Sequence, residues 1–237
     1  MSSDPAPKIS KGWFVTGTDT EVGKTLIAAS LLHALKAQGY RCVGMKPVAS
    51  GCMPAAPGRH RSQDAETLLA HSSVPAEYAD VNPYSFVPPV APHLAAAAAG
   101  QAISLERIHT HYLRLGAAAE WIIVEGVGGW FVPLSDETTV ADLAWALRLP
   151  VLLVVGMRLG CLNHALLTID AITRRGLRCA GWVANQVDRD MVLVEENVNT
   201  LTRRLPAPLV GVVPYLHTPA VSIVAQHLHV KSLLGNG

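Results

Sequence analysis

The chain has 237 residues, of which 50% are hydrophobic and 16% are charged. This length and composition allow a large buried core in one or two domains. The formal net charge is +1, from 19 basic and 18 acidic residues, and neither sign forms a long run. This sequence has no run of basic residues that would favour binding to nucleic acid or an anionic membrane. We therefore expect no nucleic acid and no membrane as partners.

Cysteine spacing and the lack of targeting segments indicate a cytoplasmic protein. The four cysteines are widely spaced and include no Cys-x-x-Cys pair, which favours reduced thiols over a disulfide framework or a zinc site. Residues 1–11 lack the apolar core of a signal peptide and are expected to be a flexible tail. No apolar run is long enough to span a bilayer. We therefore predict a cytoplasmic localisation and a single domain over residues 12–237.

The first motif in the chain is Gly17-Thr-Asp-Thr-Glu-Val-Gly23-Lys24-Thr25. An apolar β-type run, Trp13–Val15, precedes it, and a segment with helical periodicity follows it. A strand, a glycine-bounded loop and a helix start together form a phosphate loop, in which backbone N–H groups surround a polyphosphate. Lys24 can then reach the outer phosphates, and the Thr25 hydroxyl can ligate Mg²⁺. Five residues instead of four separate the two glycines, and the alternative interpretation is a surface turn.

Apolar runs and helical periodicity alternate along the rest of the chain. The predicted strands are residues 13–15, 42–45, 121–124, 151–155, 180–184 and 209–213, and the predicted helices include 26–38, 64–71, 139–147, 164–175 and 191–205. Residues 52–62, rich in proline, glycine and arginine, are expected to form a loop, and residues 80–92, with four prolines, an irregular segment. Continuously apolar strands that alternate with helices indicate an α/β fold, with a mostly parallel sheet and helices on both faces.

Polar side chains stand just after several of these strands, at the sheet edge where parallel sheets bind their ligands. Lys24 and Thr25 follow the first strand, Lys46 and Ser50 the second, Glu125 the third and Asn185 the fifth. We expect these side chains to converge on one crevice. Glu125, between an apolar strand and a glycine-rich turn, resembles the acidic end of a Walker B strand, which helps to hold Mg²⁺.

Each candidate also has a simpler interpretation. Glu125 could be a solvated carboxylate at a strand end, and Lys46 a solvated lysine. Asp64, a second candidate carboxylate, could instead cap the helix that begins there. Asn163 could likewise cap the helix that is predicted from His164. The residues alone leave these alternatives open.

Six segments resemble the dethiobiotin synthetase family of the P-loop NTPase superfamily. They are Gly17-Thr-Asp-Thr-Glu-Val-Gly-Lys-Thr25, Lys46-Pro-Val-Ala-Ser-Gly51, Asn82-Pro-Tyr84, Val124-Glu-Gly-Val-Gly-Gly-Trp-Phe131, Leu159-Gly-Cys-Leu-Asn-His164 and Gly181-Trp-Val-Ala-Asn185. They occur in the family's order, between Trp13 and Tyr215. The resemblance implies a single-domain, P-loop NTPase-like α/β fold and a homodimer with shared active sites.

The resemblance also implies roles for individual residues. Lys46, Lys24 and Thr20 would be catalytic, and Thr25, Asp64 and Glu125 would ligate the metal. The substrate would contact Thr20, Ser50, Gly160, Cys161 and Asn163. The nucleotide and its metal would contact Thr18, Asp19, Glu21, Val22, Gly23, Lys24, Thr25, Asp64, Glu125, Gly126, Gly128, Asn185, Gln186, Val213, Pro214 and Tyr215. Val127, Gln186 and the segment after Tyr215 depart from the family's usual pattern.

The activity that the resemblance implies is a ligase reaction of biotin biosynthesis. 7,8-Diaminononanoate takes up CO₂ as a carbamate, the carbamate attacks the γ-phosphate of ATP, and the second amine closes a ureido ring with loss of phosphate. The cofactors would be ATP and Mg²⁺, and the other partners would be the diamine and CO₂ or bicarbonate. Because both reactants in the phosphoryl transfer are anions, Lys24, Lys46 and Mg²⁺ would offset their repulsion.

The alternative on the same fold is an ATP-driven switch of the partitioning type, which binds protein or membrane partners. Such proteins carry a signature lysine early in the phosphate loop, and Asp19 takes its place here. No basic amphipathic tail closes this sequence. A cobyrinate-type amide synthase would need an additional glutamine-hydrolysing domain, for which 237 residues leave no room.

Overall fold

The computed structural model describes residues 11–56 and 59–234. The predicted tail at residues 1–11 lies outside the described residues, except for Lys11, which begins the first strand. The strands, in chain order, are β1 (Lys11–Gly17), β2 (Cys42–Met45), β3 (Val48–Ala49), β4 (Met53–Ala56), β5 (Arg59–Arg61), β6 (Tyr84–Ser85), β7 (Trp121–Gly129), β8 (Val151–Met157), β9 (Cys179–Gln186) and β10 (Leu209–Val213).

The helices, in the same order, are α1 (Lys24–Ala37), α2 (Gln63–His71), α3 (Tyr78–Val81), α4 (Pro92–Ala98), α5 (Leu105–Ala118), α6 (Val140–Leu147), α7 (Cys161–Arg174), α8 (Val194–Arg204), α9 (Val221–Gln226) and α10 (Val230–Leu234). Within the described part of the chain, no helix has the length and apolar character needed to cross a membrane.

Six strands form one central sheet in the order β10-β9-β8-β1-β7-β2, and every neighbouring pair is parallel. β1 lies in the interior of the sheet, where Phe14 is in register with Val124 on one side and Val151 on the other. The carboxyl ends of β1, β7 and β2 therefore meet at one edge. The predicted fold, a single-domain α/β structure with a mostly parallel sheet, is confirmed.

Both faces of the sheet are buried, because successive strand residues point to opposite sides. On one face, Phe14 packs in a cluster with residues of α4, α5 and α6. On the other face, Trp13 and Val15 pack with residues of α1, α9 and α10. The outer strands β8 and β9 add a third cluster with α7 and α8. Continuous burial on both faces is the reason that these strands appear in the sequence as uninterrupted apolar runs.

Of the helix starts that differ from the sequence prediction, two bear on the candidate site. Helix α7 begins at Cys161 and not at His164, and Gly160 is its N-cap in the left-handed conformation, with φ 95°. Asn163 is therefore inside the first turn, and its interpretation as the N-cap was wrong. Helix α2 begins at Gln63, and the Ser62 side chain caps it by accepting from the Ala65 N–H.

Three segments predicted as loops, turns or irregular structure contain strands, and one of them is residues 80–92, which hold β6. The glycine-rich stretch after Glu125 is not a turn, since β7 continues to Gly129, which is in register with Gly17 of β1. The described part of residues 52–62 contains the antiparallel pair β4 and β5. The segment after Tyr215, for which the sequence suggested no pattern, forms α9 and α10. Val224 and Leu233 in these helices are buried against the α1 side of the sheet.

Candidate active site

The phosphate loop connects β1 to α1 and curls around the side chain of Lys24. The Lys24 ammonium donates to the backbone oxygen of Asp19 at 2.8 Å. The Asn185 side chain, at the end of β9, donates to the backbone oxygen of Val22 at 2.9 Å. Gly23 has φ 89°, and a Cβ there would lie 2.2 Å from Asn185 Nδ2. Only glycine therefore allows Asn185 to hold the loop in this shape.

Lys24 is almost completely buried, with 6% of its surface exposed. Burial, and after it the neighbouring Lys46 ammonium, lower the pKa of Lys24 to about 8, against the opposing effect of Glu125 and Asp64. Two lysine ammonium groups therefore lie close enough to repel each other. A bound polyanion would relieve this repulsion, as expected at a phosphate site.

Lys46 lies just beyond β2 and is 3% exposed, so its interpretation as a solvated lysine was wrong. Its ammonium contacts Glu125 Oε1 at 2.5 Å, Asp64 Oδ2 at 2.7 Å and the backbone oxygen of Gly126 at 3.2 Å. Burial alone would lower the pKa of Lys46, but the adjacent Glu125 and Asp64 carboxylates outweigh it and raise the pKa. Lys46 is therefore a charged, fully paired cation inside the site.

The two carboxylates beside Lys46 differ in their environment. Glu125, in β7, is 1% exposed, which excludes its interpretation as a solvated strand-end carboxylate. Burial raises the pKa of Glu125, although Lys46 opposes this shift. Asp64 lies in the first turn of α2 and its side chain is 41% exposed. Burial would raise the pKa of Asp64 as well, but Lys46 outweighs this effect and the pKa is lowered.

One oxygen of Glu125 is left without a partner. Glu125 Oε1 accepts from the Thr25 hydroxyl at 2.8 Å and from Lys46, whereas Oε2 is buried and has no hydrogen-bond partner among the described residues. A buried, unpaired carboxylate oxygen is costly unless a ligand satisfies it. Thr25, Asp64 and Glu125 thus present oxygen atoms beside the start of α1.

A second group of residues lies where β9 and β10 end. Asn185 is in register with Val213, so the segment Val213–Tyr215 leaves the sheet beside the residues that hold the phosphate loop. The Tyr215 N–H donates to the Gln186 side-chain oxygen at 3.4 Å, and the Gln186 amide donates to the backbone oxygen of Asp188 at 3.1 Å. The structure thus brings together Asn185, Gln186 and the segment Val213–Tyr215, which are among the residues predicted to contact the nucleotide.

The predicted substrate contacts lie at several places around the loop. Thr20 is exposed, and its side-chain oxygen lies 3.6 Å from the point where a Cβ on Gly128 would stand. Cys161 is buried at the start of α7, and Asn163 is exposed within the same first turn. Ser50 follows β3 and is partly buried, and no described contact joins it to the paired charges of the site.

Sequence reasoning missed Arg158, which follows β8. Its guanidinium forms an ion pair with the Asp19 carboxylate and so connects the phosphate loop to the segment that enters α7. The rule that polar residues after parallel strands converge could have identified it, because Arg158 is the first residue after β8.

The parallel sheet and the loop around Lys24 define this chain as a phosphate-loop nucleotide-binding protein of the α/β class. Residues 11–220 match the family model described as "AAA domain". The chain is 51% identical to the ATP-dependent dethiobiotin synthetase BioD of Pseudomonas aeruginosa over 222 residues, which are 93% of this chain and 97% of that protein. It is 48% identical to the enzyme of the same name from Xanthomonas campestris over 216 residues, which are 91% of this chain and 96% of that protein. The chain belongs to the dethiobiotin synthetase family and is a ligase.

Solved structures support the fold at low sequence identity. The MinD cell division protein of Aquifex aeolicus has a TM-score of 0.59 and 15% identity, with 96% of this chain and 98% of that chain covered. The signal recognition particle receptor FtsY of Elizabethkingia anophelis, in complex with GDP, has a TM-score of 0.51 and 15% identity, with 98% of this chain and 66% of that chain covered. At this identity the likeness concerns the fold alone.

Proposed function

We propose that this chain catalyses the ATP-dependent ring closure of 7,8-diaminononanoate with CO₂ to give dethiobiotin, a step of biotin biosynthesis. The observation that carries the proposal is the pairing of Lys46 with Glu125 and Asp64 beside the phosphate-loop Lys24, in a chain about half identical to named dethiobiotin synthetases. Two cations at one phosphate loop suit a reaction in which an anionic acceptor must approach an anionic donor.

The proposed reaction has three bond-forming steps. One substrate amine attacks CO₂ and loses a proton, which gives a carbamate. A carbamate oxygen attacks the γ-phosphorus of ATP, ADP leaves, and the product is a carbamic-phosphoric anhydride. The second amine then attacks the anhydride carbonyl, inorganic phosphate leaves with the bridging oxygen, and the ureido ring closes.

The two lysines have separate tasks in this scheme. Lys24, held inside the loop by the Asp19 backbone oxygen, would bind the outer phosphates. Lys46, which shares Glu125 Oε1 with Thr25, would neutralise charge that develops on the carbamate and the transferred phosphoryl group. Thr20, exposed at the tip of the loop, would contact the reacting groups. Because these groups are preorganised, catalysis would depend mainly on positioning and electrostatics.

We also propose that Thr25, Asp64 and Glu125 hold Mg²⁺. Their hydroxyl and carboxylate oxygens are the ligands that Mg²⁺ prefers, and the unpaired, buried Glu125 Oε2 fits a metal ligand. When bound with ATP, Mg²⁺ would neutralise phosphate charge.

The nucleotide base would lie between Asn185, Gln186 and the segment Val213–Tyr215. Thr18, Glu21, Gly126 and Gly128 would complete the phosphate and metal surroundings. The Gly160–Asn163 segment would bind the substrate carboxylate in the site of the other subunit, across the homodimer interface.

We further propose a cytoplasmic homodimer whose sites are shared across the subunit interface. Leu159 is 96% exposed directly before α7, and Leu167, on α7 itself, is 61% exposed. Apolar side chains of this size at the predicted carboxylate-binding segment would be covered by a second copy. The four cysteines are free thiols, consistent with a reducing compartment.

Isotope transfer tests the proposed reaction. The enzyme is incubated with ATP, diaminononanoate and ¹⁸O-labelled CO₂, and the products are analysed by mass spectrometry before the label exchanges with water. The carbamate route predicts one ¹⁸O in inorganic phosphate and one in the ureido carbonyl of dethiobiotin. Dethiobiotin formed without label in phosphate would contradict the anhydride, and the absence of dethiobiotin would contradict the activity.

A further inference from the structure

The backbone of Lys46 is not fixed by the central sheet. β2 is the edge strand, and its last register pair with β7 is Met45 with Val124. Lys46 is the next residue, and Pro47 follows it, so the lysine occupies a position where the strand has already ended. Some other contact must hold it at the distances measured to Glu125 and Asp64.

The segment from α3 to β6 supplies these contacts. The Lys46 N–H donates to the backbone oxygen of Val81 at 2.8 Å. The Asn82 side-chain amide donates to the backbone oxygen of Lys46 at 2.6 Å and to that of Tyr84 at 3.1 Å. Asn82 is buried, and both of its amide hydrogens are used, so its orientation is fixed.

The same asparagine is connected to the helix that carries Asp64. The Tyr78 hydroxyl donates to Asn82 Oδ1 at 3.0 Å and accepts from the Ser62 N–H at 2.7 Å. Ser62 is the N-cap of α2, and Asp64 lies in the first turn of that helix. Asp64 in turn contacts the Lys46 ammonium at 2.7 Å. These contacts, together with the backbone from Ser62 to Asp64, therefore form a closed ring that starts and ends at Lys46.

We propose that Asn82 and Tyr78 are positioning residues that set the separation between Lys46 and Asp64. The proposal rests on the proposed function, in which Lys46 acts on the carbamate and the transferred phosphoryl group. Neither residue is proposed to touch a reactant. Tyr78→Phe would remove the hydroxyl and keep the aromatic ring, which lies under the Arg61 guanidinium at 4.0 Å from the ring centroid.

The chain offers a matched control for the hydroxyl. Tyr84 OH accepts from the N–H of Ser104, the N-cap of α5, as Tyr78 OH accepts from the N–H of Ser62, the N-cap of α2. Tyr78→Phe and Tyr84→Phe each remove a bond to an N-cap N–H, but only Tyr78→Phe also removes the bond to Asn82 and so breaks the ring around Lys46. A purely structural role predicts similar effects of the two substitutions.

Steady-state kinetics separate the two roles. We expect Tyr78→Phe to lower kcat between about tenfold and a hundredfold, the scale of a small displacement in a preorganised site, with the KM for ATP within about twofold of wild type. Tyr84→Phe should leave kcat within about twofold. In a Lys46→Ala background, Tyr78→Phe should change the residual kcat by less than about twofold, since there is no lysine left to position. An equal kcat for the two single variants, or an undiminished effect without Lys46, would overturn the proposal.

Crystal structures of the two variants provide a test that does not need the proposed reaction. The separation between Lys46 Nζ and Asp64 Oδ2 should increase in Tyr78→Phe and remain near 2.7 Å in Tyr84→Phe. An unchanged contact in Tyr78→Phe would overturn the positioning role. If the wild-type protein produced no dethiobiotin, the proposed function would fail, and the crystallographic comparison would still decide whether Tyr78 positions Lys46.

Discussion

The Lys46 ammonium lies 2.5 Å from Glu125 Oε1, and both side chains are almost completely buried. Glu125 Oε1 also accepts from Thr25, so one carboxylate oxygen connects the second lysine to the phosphate loop. Breaking a buried ion pair by removing one partner leaves an uncompensated charge, which makes such pairs sensitive to substitution. Lys46 is protected in part, because Asp64 remains as a second counterion.

Glu125→Gln should abolish most of the activity with little effect on folding. The amide keeps an oxygen that can accept from Thr25 and Lys46, but it removes the negative charge and the free carboxylate oxygen beside Thr25. We expect turnover to fall at least about a hundredfold and the thermal midpoint without ligand to shift by no more than about 4 °C, or ~1 kcal/mol. The exposed Glu195→Gln is the control. If Glu125→Gln unfolded the protein, the role of Glu125 would be structural.

Lys46→Ala should reduce turnover by at least ~10², which corresponds to ~2.7 kcal/mol of transition-state stabilisation and is typical of the loss of one electrostatic donor. ATP binding should be affected less than use of the carbamate, because Lys24 still binds the phosphates. Turnover at saturating substrates and ATP affinity by calorimetry measure the two effects, with the exposed Lys36→Ala as control. Near-normal turnover of Lys46→Ala would remove the lysine from the mechanism.

The lowered pKa of Lys24 predicts a pH-dependent stability without ligand. Folding lowers this pKa from 10.5 to about 8, so between these values the unfolded chain keeps a proton that the folded chain has lost. Stability therefore rises with pH across this window, by at most about 3 kcal/mol. Folding raises the pKa of Lys46, so this residue makes stability fall as the pH rises. That fall begins only above the ordinary lysine pKa of 10.5.

Urea unfolding of wild type and Lys24→Met between pH 7.5 and 10 measures this contribution. The free energy of unfolding of wild type should increase relative to that of Lys24→Met as the pH rises. Only wild type can lose the unfavourable buried charge. Bound ADP should reduce the change, since its phosphates stabilise charged Lys24. A difference that is independent of pH would show that Lys24 keeps its ordinary pKa in the folded chain.

The shared-site proposal predicts complementation between two inactive variants. Lys46→Ala and Asn163→Ala should each disable both sites of their own homodimer, whereas a mixed dimer contains one intact site. Random exchange of equal amounts should recover about a quarter of wild-type sites, since half of the dimers are mixed and each has one working site. The two variants are co-refolded, differential tags confirm the mixed dimers, and dethiobiotin is measured.

Asn163→Ala is a suitable partner in that experiment, because Gly160 caps α7 and the exposed Asn163 side chain does not. Its thermal midpoint should therefore remain near that of wild type. Activity no higher than the average of the two parents, with mixed dimers present, would show that each chain carries a complete site.

The sequence predicted the central sheet and the core of the candidate site because both depend on local patterns. Apolar runs buried on both faces identify strands, and a lysine or carboxylate that follows such a run must lie at the ligand-binding edge. Lys24, Lys46 and Glu125 were found in this way. The start of α7 was misplaced because the left-handed Gly160, and not a polar side chain, ends the preceding loop.

Contacts between distant segments could not be predicted. The Arg158–Asp19 pair joins residues from different loops, and the chain Ser62–Tyr78–Asn82 joins α2, α3 and the end of β2. Hydrogen bonds to backbone atoms impose no periodicity on the sequence. Helices α9 and α10 are short and are held by packing against the sheet, so their own sequence carries little helical signal.

Release of ADP, measured together with dethiobiotin, decides whether the two lysines at the phosphate loop perform the proposed ligation. The enzyme is supplied with ATP, Mg²⁺ and bicarbonate, with and without diaminononanoate. We expect one ADP per dethiobiotin, and ADP release that depends on the diamine. ADP release at the same rate without the diamine, and no dethiobiotin with it, would contradict the account and indicate an ATPase of another function on this fold.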